Sequence, residues 1–257
     1  LYAQPTNRPM ILLGAFALTF LLVAVYFFLI ELLDRTLRDR IRSERITKVP
    51  VMGCFPKESN LRYRRYNKTI SEMALKQLSK ALLPHFKTGQ QNVLNLISTD
   101  SSNGKSYLAQ ELETYWISIG LQVRRLTYDE DFLAEDSRYL LASDIKDLCS
   151  DILPDEIAIV EYPNLNEHPM SPALLNMGTV NLMVTRANRT WKDVDQKALR
   201  ETIEMLEDKS TLYMYLTEAS RYAVEEFVGQ LPPYTAFKNF VYRISQLGLT
   251  ATENERV

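Results

Sequence analysis

The sequence predicts an α/β protein with a mostly parallel sheet and helices on both faces, preceded by one transmembrane helix. Three observations lead to this prediction. An uncharged apolar run fills residues 9–30, and after residue 69 short apolar segments alternate with segments of helical periodicity. One of those apolar segments leads directly into Gly-Lys-Ser at 104–106. Strands that alternate with helices pair in parallel, because each helix carries the chain back across the sheet.

The apolar run is long enough to cross a bilayer, since about 20 helical residues span the ~30 Å hydrocarbon core. A signal peptide would be shorter and would end in small residues, whereas Glu31-Leu-Leu-Asp-Arg follows here. A buried helix of a soluble protein rarely has such a length without a charge. We therefore expect a transmembrane helix over 10–33. Residues 1–9, which start at Leu rather than Met, would be the extracytoplasmic end of a longer N-terminal region.

Basic residues are concentrated after this run, with Arg8 alone before it. They are Arg35, Arg38, Arg40, Arg42, Arg45 and Lys48. The positive-inside rule then places the C-terminal side in the cytoplasm, behind a single span. The basic stretch could also contact anionic lipid headgroups, or it could only set the topology. The formal net charge of -2 argues against nucleic acid as a partner.

The elements are predicted in chain order. Two regions follow the membrane helix: a basic juxtamembrane helix and linker at 34–68, and the cytoplasmic domain at 69–257. Residues 31–44 are predicted to continue the membrane helix and 49–56 to be extended. The cytoplasmic domain is predicted to begin with a helix at 70–83. Strands are predicted at 93–98, 123–127, 157–161, 180–185 and 212–216. Later helices are predicted at 105–119, 137–148, 171–175, 191–207, 219–228 and 236–247. Cys54 and Cys149 give neither a disulfide framework nor a metal-binding spacing.

A phosphate-binding loop is predicted between the first of these strands and the helix that follows it. In such P-loops, backbone N–H groups and a helix N-terminus hold phosphates, a lysine reaches the outer phosphates, and a serine holds Mg²⁺. Lys105 and Ser106 would have the last two roles, although Thr99 stands where the motif has glycine. The candidate ligands of ATP are Ser101, Ser102, Asn103, Gly104, Lys105 and Ser106.

Two acidic residues follow or end predicted strands at the same edge of the sheet. Glu161 ends an apolar strand and Asp129 follows the strand at 123–127. Carboxylates at such positions can hold Mg²⁺ or polarise a water molecule in P-loop enzymes. Asp129 and Glu161 are therefore the candidate catalytic residues and, with Ser106, the candidate Mg²⁺ ligands. Each could equally be a solvated carboxylate at a strand end.

Together these segments resemble a known family. The N-terminal part resembles the second transmembrane helix and following segment of polysaccharide co-polymerases. These proteins are the chain-length determinants of bacterial capsule, exopolysaccharide and O-antigen synthesis. The resemblance is carried by Gln4-Pro5 to Pro9, the apolar run, Glu31-Leu-Leu-Asp-Arg and Val49-Pro50-Val51-Met52-Gly53-Cys54-Phe55-Pro56. The remainder resembles the bacterial tyrosine kinase domain that many co-polymerases carry. The resemblance implies homo-oligomeric rings in the bacterial inner membrane, polymerase and export partners, and ATP-dependent phosphorylation of a C-terminal tyrosine cluster.

The sequence departs from that family at each catalytic element. The loop has Thr99-Asp100-Ser101-Ser102-Asn103 where the family has a Pro-Gly-rich turn, Thr127 replaces one aspartate and Glu161 another, and residues 250–257 contain no tyrosine. Leu75 and Leu78 stand where the family has two arginines for ring contacts.

Three functions are consistent with these features. The first is a degenerate kinase-like scaffold that senses nucleotide within a co-polymerase. The second is an active, autophosphorylating tyrosine kinase or ATPase that regulates polysaccharide export. The third is a membrane-tethered partitioning-type ATPase, which would share the same sheet.

Overall fold

The candidate membrane helix forms a unit of its own. A computed structural model describes residues 8–59, 64–153 and 155–234, and it divides into the units Leu1–Arg35 and Thr36–Val257. Helix α1 (Arg8–Leu33) fills the first unit. Its segment Pro9–Leu33 has a mean hydropathy of 2.6 over its most apolar window. By length and composition, α1 could cross a membrane.

The helix predicted at 31–44 is interrupted. Helix α1 ends at Leu33, and a separate helix α2 (Arg40–Thr47) follows. The N-cap of α2 is Asp39, whose Oδ1 accepts a hydrogen bond from the backbone N–H of Arg42 at 2.8 Å. A capping carboxylate satisfies backbone donors at the start of a helix. Asp39 therefore starts a second helix where the sequence predicted a continuous one.

Six parallel strands form one sheet, which confirms the predicted fold class. The spatial order is β1-β6-β5-β2-β4-β3. The strands are β1 (Val51–Pro56), β2 (Asn92–Ser98), β3 (Val123–Thr127), β4 (Ile157–Asn164), β5 (Val180–Arg186) and β6 (Leu212–Ala219). Strand β1, which the sequence indicated only as an extended segment, pairs with β6 at the edge of the sheet.

Helices and short 3₁₀ turns connect the strands. The helices are α3 (Asn67–Leu82), α4 (Lys105–Ser118), α5 (Ser137–Leu140), α6 (Ile145–Leu148), α7 (Pro172–Met177), α8 (Asp193–Met205) and α9 (Arg221–Val228). The 3₁₀ turns are Arg64–Tyr66, Leu83–His85 and Lys209–Thr211. The single helix predicted at 137–148 is two helices, because Asp144 and Asp147 form a capping box that starts α6. The helix predicted at 236–247 lies outside the described residues.

Alternating side chains of the central strand lie in two hydrophobic cores, one on each face of the sheet. Leu94 and Leu96 of β2 share a buried cluster with residues of α3 and α4. Val93 and Ile97, on the opposite face, share another with residues of α7, α8 and α9. A two-residue period of this kind is the rule in strands. Both faces of β2 are consequently dry, as a sheet covered by helices on both sides requires.

A buried amide pair interrupts the apolar centre of the sheet. Asn95 of β2 and Asn181 of β5 are neighbours in register, and Asn95 Nδ2 donates to Asn181 Oδ1 at 2.8 Å. Asn95 also donates to the carbonyl of Leu174 in α7 at 3.1 Å. Gly178 leaves room for this pair, because a Cβ there would lie 2.4 Å from Asn95 Nδ2 and 2.6 Å from Asn181 Oδ1.

We predict that Gly178→Ala destabilises the protein, because the added methyl group must displace two buried, hydrogen-bonded amides. Overpacking of this kind costs about 1–3 kcal/mol. The melting temperature of the full chain, followed by circular dichroism in detergent, should fall. Ala173→Ser, on the exposed side of α7, is the matched control and should leave it unchanged. An unchanged melting temperature for Gly178→Ala would contradict the role assigned to Asn95 and Asn181.

Candidate functional site

The predicted phosphate loop lies at the C-terminal edge of the sheet, between the central strand β2 and the start of α4. Gly104 is the N-cap of α4 and has a φ of 79°, in the left-handed region that favours glycine. Lys105 is the first residue of α4, and Ser106 is exposed beside it. Helix N-termini bind anions, because their first N–H groups are unpaired. The local geometry is that of a strand–loop–helix phosphate site.

The loop itself presents hydroxyl groups outward and buries an amide. Ser101 and Ser102 are exposed, whereas Asn103 is completely buried. Thr217 at the end of β6 donates its hydroxyl to the backbone carbonyl of Asn103 at 2.7 Å. Both amide atoms of the Asn103 side chain are without a hydrogen-bond partner among the described residues. Of the predicted loop ligands, Ser101, Ser102 and Ser106 thus have exposed side chains.

The Lys105 side chain points into the protein. It is 4% exposed and donates a hydrogen bond to the backbone carbonyl of Tyr162 in β4. Its Nζ lies 5.7 Å from the centre of the Tyr128 ring. Burial lowers the pKa of Lys105 to about 8, and the nearby Glu161 carboxylate partly opposes this shift. To reach a phosphate, Lys105 must exchange the Tyr162 carbonyl for it.

Glu161 is fully buried and already paired. Its Oε1 lies 3.1 Å from Nη1 of Arg125 on β3 and accepts a hydrogen bond from the Thr127 hydroxyl at 3.3 Å. Arg125 is held in turn by Glu113 of α4, at 3.0 Å. The other oxygen, Oε2, has no hydrogen-bond partner within the part of the chain that the structure describes. One oxygen of Glu161 is therefore neutralised by a cation, and one is free to accept a ligand.

Asp129 occupies a different environment. It is exposed, in a turn after β3 where it has a φ of 70°, and its backbone N–H donates to the Phe132 carbonyl at 2.8 Å. Desolvation is the main cause of the raised pKa of Tyr128, and the charges of Asp129 and Glu161 add to it. The two predicted carboxylates therefore lie around the same tyrosine, Glu161 fixed and Asp129 open to solvent.

The fit to Mg²⁺ is partial. Within residues 8–59, 64–153 and 155–234, no three His, Cys, Asp or Glu side chains group into a metal site. A magnesium ion at a P-loop needs few protein ligands, because phosphates and water fill the remaining positions. Ser106, Asp129 and the unpartnered Oε2 of Glu161 are the groups that could hold it, and Arg125 competes with the ion for Glu161.

Sequence reasoning missed two arginines that contact the loop. Arg186 ends β5, and its Nη2 donates to the Ser102 hydroxyl at 3.1 Å. Arg189, three residues later, contacts Thr99 and Asp100. Nothing local in the sequence connects these arginines to a loop about 85–90 positions earlier.

A cleft of about 470 Å³ opens beside the loop. It lies toward β1 and β6, and its walls include Phe55, Ser102, Tyr107, Arg186, Thr217 and Glu218. Ligand pockets commonly measure about 300–1,000 Å³. The cleft therefore has the volume for a small organic ligand next to the phosphate loop.

Comparison with solved structures finds proteins of similar fold. The chain resembles the kinase domain of the Escherichia coli tyrosine kinase ETK with a TM-score of 0.51 and 11% identity, over 78% of this chain and 97% of that domain. The chimerical protein CapA2B2 (TM-score 0.47, 15% identity, 71% of this chain and 100% of that one) and the BceF tyrosine kinase domain (0.45, 15%, 70% and 99%) are also similar. No family model matches the sequence, and no curated protein does either.

The chain has a bacterial tyrosine kinase-like fold. At 11% identity to ETK, the similarity concerns the fold alone. In the unit Thr36–Val257, here called the kinase-like unit, the phosphate loop follows β2, and Glu161 lies on the adjacent strand β4. Thr127, the last residue of β3, is in register with Glu161, three residues before the end of β4. The arrangement brings Lys105, Tyr128 and Glu161 together and leaves Ser106 and Asp129 at the surface.

We predict that Asn103→Leu stabilises the kinase-like unit. A buried polar group without a partner costs about 1–3 kcal/mol, and leucine has nearly the same shape without that cost. The melting temperature should rise. Asn166→Leu is the contrasting variant and should lower it, since Asn166 Nδ2 donates to the Thr99 carbonyl at 2.7 Å. A loss of stability in Asn103→Leu would show that the Asn103 amide is satisfied.

We also predict a pH-dependent contribution of Lys105 to stability. Its pKa is about 8 in the folded chain and near the ordinary 10.5 when unfolded. Between these values the unfolded chain binds more protons, so stability from this group rises as pH increases. The free energy of unfolding of the wild type, relative to Lys105→Met, should increase from pH 8 to pH 10. Lys197→Met, in an exposed part of α8, should show no such slope, and a flat difference for Lys105→Met would contradict the assignment.

Proposed function

We propose that the chain binds a nucleoside triphosphate with Mg²⁺ at the loop of residues 99–106, as a kinase-like domain attached to the bacterial inner membrane. The observation that carries the proposal is the position of Gly104-Lys105-Ser106 at the N-terminus of α4, directly after the central strand of a parallel sheet. Ligands in such sheets bind at the C-terminal edge, where helix N-termini attract phosphate. The adjacent cleft has room for the rest of a nucleotide.

The contacts of the carboxylates support binding without efficient catalysis. Phosphoryl transfer depends on metal-bound charge neutralisation and on exact positioning of the attacking group. Glu161 is paired with Arg125, which weakens it as a ligand for Mg²⁺, and Asp129 is exposed in a turn. Thr127 offers a hydroxyl where the kinase family has a carboxylate. The domain would therefore sense nucleotide or support assembly, and its phosphoryl transfer would be weak.

The cellular setting is part of the same proposal. Helix α1 would be the single span, and the basic residues after it would keep the kinase-like unit in the cytoplasm. The resemblance to polysaccharide co-polymerases favours a homo-oligomer that works with a polysaccharide polymerase and export machinery. Anionic lipid headgroups would contact the basic segment at 35–48. The similarity to ETK, which is named a tyrosine kinase, supports a role related to that group of proteins.

A second candidate function is an active, autophosphorylating tyrosine kinase. One observation favours it: the Oε2 atom of Glu161 is buried, has no partner among the described residues, and belongs to a carboxylate close enough to Lys105 to influence its pKa. A free carboxylate oxygen beside the phosphate-binding lysine could hold Mg²⁺ at a γ-phosphate. In that case Glu161 would act despite its pairing with Arg125.

We predict saturable binding of Mg²⁺–ATP to the full chain in lipid nanodiscs, measured by isothermal titration calorimetry. The protein used must include β1, because β1 is part of the sheet. Lys105→Met should weaken binding at least tenfold, since a charge-assisted hydrogen bond contributes about 1.5–3 kcal/mol. Lys197→Met should bind like the wild type. Absence of binding by the folded wild type at millimolar Mg²⁺–ATP would refute the proposed function.

The same preparations separate the two candidates. Incubation with Mg²⁺–ATP followed by mass spectrometry should find no phosphotyrosine above the level in Lys105→Met if the domain senses nucleotide. Phosphotyrosine that disappears in both Lys105→Met and Glu161→Gln would establish the active kinase instead.

A further inference from the structure

Arg189 joins three groups around the phosphate loop. Its Nη1 donates to the Thr99 hydroxyl at 3.1 Å, and its Nε lies 3.4 Å from Oδ2 of Asp100. Its Nη2 donates to Oδ1 of Asp195 at 2.9 Å. The Arg189 side chain is 13% exposed and that of Asp195 is 1% exposed. One guanidinium group therefore holds the first two loop residues against the start of α8.

Asp195 fixes Arg189 from the opposite side. Its second oxygen, Oδ2, accepts a hydrogen bond from the backbone N–H of Lys192 at 2.9 Å, at the N-terminus of α8. A carboxylate near a helix N-terminus is stabilised by the helix dipole. The planar guanidinium presents several donors in a rigid fork, so little conformational freedom is lost for each bond formed. The Asp195–Arg189 pair is thus a rigid support for the loop.

The loop needs such a support because of its composition. Residues 99–103 contain no glycine, and a loop without glycine approaches phosphates less easily. Asp100 also places a negative charge where phosphates would bind. Two other side chains hold the loop elsewhere. Asn166, in the turn after β4, donates to the Thr99 carbonyl, and Thr217 of β6 donates to the Asn103 carbonyl. Arg189 is the contact that both holds the loop and offsets the charge of Asp100.

We infer that Arg189 is a positioning residue for nucleotide binding, which holds the loop through Thr99 and Asp100 and compensates the Asp100 charge so that phosphates can approach. This inference rests on the proposed function. Without Arg189, Asp100 faces the phosphates as an uncompensated anion. Arg189 thus supplies order and charge compensation to a loop that lacks the usual glycines.

If Arg189 compensates the charge of Asp100, substitutions of these two residues should have coupled effects on the affinity for Mg²⁺–ATP. Arg189→Met should weaken Mg²⁺–ATP binding by about tenfold or more, because the uncompensated charge of Asp100 then repels the phosphates; a tenfold loss corresponds to about 1.4 kcal/mol of binding free energy. Adding Asp100→Asn to Arg189→Met should recover part of that affinity, since the repelling anion is then gone. A residue that only stabilised the fold would give no recovery. Arg189→Lys should be intermediate, because it keeps the charge and loses the fork.

The experiment uses the full chain in nanodiscs, with calorimetric titration of Mg²⁺–ATP and hydrogen–deuterium exchange of residues 98–104 without ligand. Arg200→Ala, an exposed arginine of α8, is the control and should match the wild type in both. We expect Arg189→Met to bind more weakly, to exchange faster in the loop, and to regain affinity with Asp100→Asn. Wild-type affinity in Arg189→Met, or no recovery in the double variant, would overturn the inference.

The two proposals fail in different ways. If the folded wild type does not bind Mg²⁺–ATP, the proposed function fails and the positioning role for nucleotide binding fails with it, while the exchange measurement still shows whether Arg189 orders the loop. If the wild type binds and exchange in the loop is unchanged by Arg189→Met, the proposed function stands and the inference alone is overturned.

Discussion

The position of β2 between β4 and β5 is the constraint on which the rest of the site depends. Hydrogen bonds on both sides fix the strand, and all six strands run in the same direction. The carboxyl ends of β2, β4, β5 and β6 therefore meet at one edge, where the chain must turn into α4. That turn requires a left-handed residue, and Gly104 supplies it. The contacts of the loop with Asn166, Arg189 and Thr217 follow from this arrangement, because each of these residues lies within three residues of the end of a strand.

The second property of the site is that most of its charges are paired within the chain. Glu161 is paired with Arg125, Asp100 with Arg189, and Lys105 donates to a backbone carbonyl. A buried charge without a partner is costly, so such pairing keeps an unliganded site folded. Under the proposed function, a nucleotide would have to replace some of these contacts, and its affinity would be the difference in free energy between the new contacts and the old ones. We therefore expect weak binding, because the chain already satisfies its own groups.

The sequence was most informative where apolar runs are long and uninterrupted. The strands β2 to β6 lie within three residues of their predicted bounds, because both faces of each central strand are buried and its residues are almost all apolar. Strand β1 was harder to identify, since Gly53 and Pro56 indicate turns and edge strands tolerate such residues. The prediction of one helix at 137–148 was wrong. In the sequence Asp144 and Asp147 look like ordinary helix-surface residues, whereas in the structure they accept backbone hydrogen bonds and form the capping box that starts α6.

The candidate site could be predicted only in part, because a motif records chain neighbours and a site consists of spatial neighbours. Gly104, Lys105 and Ser106 are adjacent in sequence, so their placement at the start of α4 follows from the strand–loop–helix pattern. The pairing of Glu161 with Arg125 crosses 36 positions, and that of Arg189 with Thr99 crosses 90. These distant contacts decide how the motif behaves. Arg125 neutralises Glu161, the carboxylate that catalysis would use. Arg189 neutralises Asp100, whose charge would otherwise repel a bound phosphate. Under the proposed function, the same kind of ion pair would oppose phosphoryl transfer at one strand end and favour phosphate binding at another, and this difference would separate the two activities.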